Sequence, residues 1–360
     1  MPVNREAAEL SRDDSQATCR PVPSTVPCRD GQLLLLASLL FLTTAVRADT
    51  VLLQNGQKLT GEILRYDESG VAIRLTNARN ITKEYTRDEV VGVEADFLPE
   101  QITADAAMAK KDYAAAISGY RRAMELERRP WVKDWLRTKL MGALQAAGQW
   151  KPAAELFIQA SQERDNLELM RLAPLFWRPG STPSDADKGT AAEWIQSKFP
   201  MAQLIAASWL LETDEREKAQ KTLERLQTDQ QQRIAWMARA QLWRLRAGAA
   251  PPDEIKRYHD LVEKMPDAVR GGPQYLLGLA YEKGNEPLEA ALAYLWVPFV
   301  YEPASELAGD ALLRAAIASQ QAGLHNDATK LFREVVREYP GTPFAVQANE
   351  HLPKTKDRTP

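Results

Sequence analysis

The sequence has few cysteines and histidines, and this scarcity limits the chemistry that the chain can support. It contains two cysteines, Cys19 and Cys28, and three widely separated histidines, His259, His325 and His351. A structural zinc site usually takes four Cys or His ligands at short spacings. Both cysteines lie upstream of the signal-peptidase site predicted below, so the exported chain would contain none and could form no disulfide. We therefore expect no metal ligands, no cofactor and no disulfide framework.

The sequence also lacks the basic excess that is typical of proteins that bind nucleic acid. It carries 46 Lys and Arg against 49 Asp and Glu, which gives a formal net charge of −3 and a pI near 5.9. Proteins that bind phosphate backbones match the phosphates with Lys and Arg side chains. The charge balance therefore disfavours nucleic acid as a partner.

Motifs of the common enzyme classes are missing as well. The chain has no Gly-rich phosphate loop, no G-x-S-x-G elbow and no H-E-x-x-H zinc-protease motif. Acidic residues are numerous and fall mostly at positions expected on polar helix faces. We expect a protein without catalytic residues that is not an enzyme, and an unrecognised carboxylate pair of an envelope hydrolase remains an alternative.

Only one apolar run is long, and it lies near the N-terminus. Gln32–Leu42 reads QLLLLASLLFL, which is shorter than the roughly 20 residues of a membrane-spanning helix and is typical of a signal-peptide core. Val46 and Ala48 are the small residues of a signal-peptidase site. We therefore predict a cleaved signal peptide, a periplasmic or extracellular protein and no membrane span after cleavage. The alternative is a buried helix of a cytosolic protein.

Residues 51–93 alternate apolar and polar side chains with the period of two of β-strands. The stretch begins VLLQNGQKLTGEILRYDESGVAIRL, and its Asn55-Gly56 pair is a strong hairpin signal. Four or five short strands fit here, and the pattern resembles the small antiparallel barrels of Sm and SH3-like proteins. Barrels of this kind that read RNA need exposed aromatics and a positive groove. Tyr66 and Tyr85 are the only candidate stacking aromatics, so a docking module is the better interpretation.

From residue 98 onward, small and aromatic residues recur at a helical spacing. Each of four alanines is followed four residues later by an aromatic residue, and the spacing is 37 residues for the first two and 38 for the last two. The pairs are Ala116 and Tyr120, Ala153 and Phe157, Ala290 and Tyr294, and Ala328 and Phe332. This pattern resembles tetratricopeptide (TPR) repeats. The resemblance implies an α+β chain, with a small N-terminal β-barrel followed by an all-α TPR-like solenoid.

A proline-rich stretch, Leu172–Pro200, interrupts the repeats and predicts a loop or hinge. The predicted domains are a signal peptide at 1–48, a small β-barrel at 49–97, TPR-like repeats at 98–171, a Pro-rich loop or hinge at 172–200, further TPR-like repeats at 201–352 and a disordered tail at 353–360.

The resemblance also implies a function in protein binding. Stacked helix pairs form a concave face that binds proteins or peptides, and residues 332–352, FREVVREYPGTPFAVQANEHL, resemble the last repeats of bacterial envelope TPR proteins. We expect a non-enzymatic adaptor or scaffold of the bacterial cell envelope. The alternative is nucleic-acid binding through the barrel. Alignment to the repeat places these residues in the groove: Trp135, Thr138, Gln145, Tyr275, Glu282, Lys283, Gln320 and Gln321.

Overall fold

The computed structural model describes residues 49–67, 69–76, 81–163, 166–301 and 306–353. The predicted signal peptide lies outside the described residues, as does the predicted tail from residue 354 onward. The described residues belong to one compact unit. The remaining boundaries drawn from the sequence stay predictions.

The N-terminal part of the described chain is a five-stranded antiparallel sheet in the order β4-β3-β2-β1-β5. The strands are β1 Asp49–Leu53, β2 Lys58–Asp67, β3 Gly70–Leu75, β4 Thr82–Thr86 and β5 Val90–Glu94. Asn55-Gly56 makes the β1–β2 turn, in which Gly56 has a φ of 81° that other residues rarely adopt. A Cβ atom on Gly70 would lie 1.9 Å from the carbonyl oxygen of Tyr85, so only glycine fits where β3 meets β4.

The sheet is open, so the predicted barrel is wrong. Strands β4 and β5 are the two edges of the sheet in the described residues and do not pair with each other. The apolar face is covered by the helical part of the chain instead. Ile63 of β2 and Ile73 of β3 are 2% and 0% exposed, and both belong to one apolar cluster with Trp131 and Leu136. A sheet whose inner face is already filled by helical side chains needs no closure to bury it.

Fourteen α-helices follow in the described residues, and prolines mark many of their starts. Pro99, Pro130, Pro200, Pro252 and Pro287 each occupy the first turn of a helix, where the missing N–H has no partner to lose. The helices are α1 Pro99–Ala109, α2 Tyr113–Leu126, α3 Pro130–Ala146, α4 Trp150–Glu163, α5 Asp185–Trp194, α6 Pro200–Leu210, α7 Arg216–Leu226, α8 Gln232–Trp243, α9 Pro252–Val262, α10 Gly271–Lys283, α11 Pro287–Trp296, α12 Glu306–Gln321, α13 His325–Glu338 and α14 Pro343–His351.

The helices have a TPR-like arrangement of packed pairs, as the repeats predicted. The four repeat alanines and their aromatic partners are all at most 1% exposed, and they lie on α2, α4, α11 and α13. In α7 the aromatic is replaced by Leu223, which is fully buried beside the fully buried Ala219. An apolar side chain of another shape therefore serves the same packing position.

Alternate helices also contact one another directly. In the second half of the chain, α6 contacts α8, α8 contacts α10, α10 contacts α12, and α12 contacts α14. These five helices therefore form one continuous layer, which we call the helical layer, and α7, α9, α11 and α13 connect its members along the chain.

The Pro-rich stretch differs from the predicted loop or hinge. Its second half contains α5, and its first half is an extended segment, Pro174–Trp177, that packs inside the helical core. The Phe176 ring lies 5.0 Å from the ring of Trp150 on α4 and 5.9 Å from the ring of Trp209 on α6, measured between centroids. The segment therefore packs against both α4 and α6. Sequence reasoning treated the prolines as breaks and overlooked the three apolar residues that follow Pro174.

Candidate functional site

A cleft of about 360 Å³ opens where α8, α10 and α12 of the helical layer meet the end of the buried Pro-rich segment. Its walls combine apolar and small residues with three cationic side chains. The lining residues are Pro179, Arg244, Leu245, Gly248, Ala249, Leu279, Lys283 and Arg314. We call this feature the basic cleft.

Arg314 reaches the cleft from the middle of α12. Its Nε donates to Asp310 Oδ2 at 2.9 Å, and its Nη1 donates to Glu282 Oε2 at 3.0 Å. Burial acts to lower the pKa of Arg314, but Tyr275 and Asp310 raise it overall. The guanidinium is therefore a permanent positive charge held by carboxylates on α10 and on its own helix.

Two buried tyrosines complete this ionic network. The Tyr275 hydroxyl donates to Asp310 Oδ2, and the Tyr294 hydroxyl donates to Glu282 Oε2 at 2.8 Å. Burial raises the pKa of Tyr275, and the Asp310 charge adds to the effect. Burial likewise raises the pKa of Tyr294 well above its ordinary value. Both hydroxyls therefore stay protonated and act as fixed donors to the carboxylates that position Arg314.

Arg244 forms the opposite wall, just after the end of α8. Its side chain is fully buried, and its Nη atoms donate to the Ser208 carbonyl oxygen at 2.9 Å and to Glu212 Oε1 at 2.6 Å. Its Nε is buried without a hydrogen-bond partner. Burial lowers the pKa of Arg244, and Glu212 opposes that shift. Glu212 also accepts from the Gly180 N–H at 2.5 Å, which anchors the loop beside the cleft.

The arrangement favours binding of an anion. Three cations line the cleft, and the carboxylates that hold Arg314 and Arg244 are not among the lining residues: Asp310 is 9% exposed, Glu282 is 22% exposed and Glu212 is 24% exposed. Lys283 is the most accessible charge, since 52% of its side chain is exposed and Glu282 lies 3.6 Å away. An incoming carboxylate would therefore meet Lys283 and Arg314 on walls that are otherwise largely apolar.

The structure places three of the predicted groove residues at this site. Glu282 is half-buried and Lys283 is exposed, as binding positions require, but Tyr275 is 0% exposed. Its ring packs against the ring of Tyr294, with centroids 5.5 Å apart. Tyr275 thus supports the site from below, and the prediction that it contacts a partner is wrong in this structure.

Three further predicted residues lie on α3, near the sheet. Trp135 is 37% exposed, and its ring lies 4.9 Å from that of Phe97 and under the Lys139 ammonium at 4.6 Å. Thr138 donates to the Trp135 carbonyl oxygen, and Gln145 donates to the Leu172 carbonyl oxygen at 2.7 Å. Gln145 therefore already has a structural partner, and the binding roles of all three residues stay predictions.

The last two predicted residues lie at the end of α12. Gln321 is exposed, and Gln320 Oε1 lies 3.0 Å from Nδ1 of His351 on α14. Their binding roles stay predictions too. The predicted residues therefore form three separate groups, on α3, at the basic cleft and at the end of α12.

Sequence reasoning missed Arg244 and Arg314, although both carry a recognisable signal. Arg314 interrupts the apolar run ALLRAAIA, and Arg244 lies between Trp243 and Leu245 in LWRL. A lone charge within an apolar helical segment has to be paired when it is buried. Such residues are therefore candidates for an ionic cluster at a helix–helix contact.

The sheet offers little surface for stacking bases. Tyr66 packs edge-on against Trp131 with centroids 6.0 Å apart, and the Arg87 guanidinium lies 5.5 Å from its ring centre. Tyr85 also packs against the apolar cluster below the sheet.

Among the described residues, no helix is long and apolar enough to cross a membrane, and no group of three or more His, Cys, Asp or Glu side chains could hold a metal ion.

Comparisons with known proteins add little to this description. No family model matches the chain, and no curated protein matches it. A solved structure described as the TPR2AB-domain:pHSP90-complex of yeast Sti1 is 12% identical, covers 70% of this chain and 95% of its own, and superposes with a TM-score of 0.27. A likeness at that score supports no conclusion about this chain.

Proposed function

We propose that this chain is a non-enzymatic protein-interaction module of the bacterial cell envelope. The basic cleft receives an acidic group of a protein or peptide partner. One observation carries the proposal: Lys283 and Arg314 line an otherwise largely apolar depression in a layer of packed helices. Helix-pair arrays present such surfaces to protein segments, and a carboxylate is the natural counterpart of two neighbouring cations.

Reversing the charge of Lys283 tests the proposal. We expect Lys283→Glu to weaken retention of the partner from an envelope extract by at least ~10-fold, because charge reversal at an exposed rim position places like charges together. The measurement is quantitative mass spectrometry of the proteins retained by the immobilised wild-type and variant chains. Raising the salt concentration should weaken the same interaction.

Lys330→Glu on α13 is the matched control. Lys330 is an exposed lysine 2.8 Å from an acidic neighbour, Asp327, but it lies outside the basic cleft. We expect its retained proteins to equal those of the wild type. Identical retention by all three chains would show that the basic cleft is not the binding site.

We further propose that the chain is exported and that its signal peptide is removed after Ala48. The apolar core Gln32–Leu42 and the small residues before Asp49 support this proposal. N-terminal sequencing of the protein purified from its native cells should begin at Asp49 or within a few residues of it. Recovery of the intact N-terminus from the cytoplasm would contradict export.

A further inference from the structure

The outer face of α11 is apolar along its whole length. Three positions of α11, one turn apart, carry Leu288, Leu292 and Trp296, and the turn that follows the helix adds Phe299 and Val300. They are 46%, 55%, 49%, 60% and 46% exposed, respectively. We call these five side chains the α11 stripe. Their exposed area amounts to roughly 500 Å², which is as large as the functional patches of typical monomers.

The corresponding helices of the other repeats show that this surface is unusual. Counted from the buried repeat alanine, the positions of Leu288, Leu292 and Trp296 carry polar side chains in three other repeats. They are Lys151, Glu155 and Gln159 on α4; Glu217, Lys221 and Arg225 on α7; and Asn326, Lys330 and Glu334 on α13. The fold therefore does not require an apolar residue at any of these positions, and an exposed apolar patch of this size marks an interaction surface.

The C-terminal end of the stripe is held in place by its surroundings. The helix widens into a π turn, Val297–Tyr301, which presents Phe299 and Val300 side by side. The Trp296 ring stacks on Tyr301 with centroids 6.0 Å apart, and Arg171 donates to the Tyr301 carbonyl oxygen at 3.1 Å. Rigid aromatic anchors of this kind dominate interface energies, because little conformational entropy is lost when they are buried.

We propose that the α11 stripe is the contact between two copies of this chain in a symmetric dimer. Two antiparallel stripes would place Leu288 of each copy against the Val300 end of the other, with Leu292 beside Trp296, so the surface is self-complementary. Complete burial of both stripes would remove about 1,000 Å² from solvent, the lower limit for a biological interface. This inference is independent of the function proposed for the basic cleft.

The charges around the stripe favour a second copy over other occupants. Glu289 is the only exposed charge from Leu288 to Val300, so the surface offers no pattern of charge to a charged partner. In an antiparallel dimer the two Glu289 side chains would lie near opposite ends of a stripe about 18 Å long, beyond the screening length at physiological salt. The segment from Asn285 to Tyr301 has no Lys or Arg, which disfavours an anionic membrane surface.

Sedimentation equilibrium of the purified full chain tests the proposal. We expect the wild type to be a dimer at about 10 μM and the double variant Leu292→Lys/Trp296→Glu to be a monomer, with a dissociation constant raised at least ~100-fold. Both new side chains occur at the matching positions of α13, as Lys330 and Glu334, so the helix content measured by circular dichroism should be unchanged. The melting temperature should fall modestly, because the Trp296–Tyr301 stacking and the dimer contact are both lost. Phe299→Ala, a milder change, should raise the constant by about 10-fold.

Val346→Lys is the control, since Val346 is a 62% exposed apolar residue on α14, away from the stripe; it should leave the dimer intact. A wild type that stays monomeric up to about 100 μM would overturn the proposal, as would a dimer that the double variant leaves unchanged. Cosedimentation of a monomeric wild type with phosphatidylcholine vesicles would assign the stripe to a lipid surface instead.

Discussion

Replacing Phe176 by alanine is expected to lower the free energy of unfolding by about 3–5 kcal/mol, the range measured when large buried aromatics are truncated. The side chain is 6% exposed and fills the space between Trp150 on α4 and Trp209 on α6. Its removal would leave two tryptophan rings facing a cavity. Urea denaturation followed by tryptophan fluorescence measures the effect.

The backbone around Phe176 prevents this cavity from collapsing easily. Its N–H donates to Ser208 Oγ at 2.9 Å, and its carbonyl oxygen accepts from Gln241 Nε2 at 3.0 Å. Trp209 Nε1 donates to the Pro174 carbonyl oxygen at 2.7 Å. The extended segment is therefore fixed to α6 and α8 by hydrogen bonds that the substitution leaves intact. The cost should fall in the upper part of the range, because cavities that cannot relax are the most expensive.

Phe199→Ala provides the comparison. Phe199 is 42% exposed just before α6, and the Lys198 ammonium lies 5.5 Å from the centre of its ring. Its truncation should change stability by less than about 1 kcal/mol. Equal losses from the two substitutions would mean that the Pro-rich segment is not part of the core.

The local patterns of the sequence predicted most of the fold. The period of two predicted four or five strands, of which the described residues contain five, and the Asn55-Gly56 turn. The recurring alanine and aromatic pairs marked helices that pack as TPR-like pairs. These patterns suffice because each depends on neighbouring residues in the chain. Closure of the sheet into a barrel does not depend on neighbouring residues alone. Whether β4 pairs with β5 depends on how the helical part covers the inner face of the sheet. The period of two within a strand does not predict that contact.

The candidate site was less accessible to sequence reasoning. Alignment to a repeat identifies the helix face but not the depth of a side chain, so Tyr275 was placed on the surface although it is fully buried. Arg244, Lys283 and Arg314 meet only because α8, α10 and α12 lie side by side. The sequence separates them by up to 70 residues, and no local pattern connects them.

Arg314→Ala is expected to lower the free energy of unfolding by about 2–3 kcal/mol, because two partly buried carboxylates lose their hydrogen bonds to a cation. Asp310 and Glu282, whose side chains are 9% and 22% exposed, would both lose their shared cation. Each carboxylate would keep only a more distant cation, Arg178 at 3.8 Å from Asp310 and Lys283 at 3.6 Å from Glu282. Thermal and urea denaturation of the variant measure the loss.

Arg337→Ala is the control that tests whether burial of the ion pairs causes the loss of unfolding free energy. Arg337 on α13 also pairs with two carboxylates, those of Glu334 and Glu338, but its side chain is 68% exposed. Water and salt screen these pairs, so the loss should be below about 1 kcal/mol. A large loss of unfolding free energy in Arg314→Ala and a small one in Arg337→Ala would show that the ionic network below the basic cleft stabilises the fold. If both substitutions were nearly silent, the network would be solvated, and the carboxylates would be free to compete with an acidic ligand for the cations.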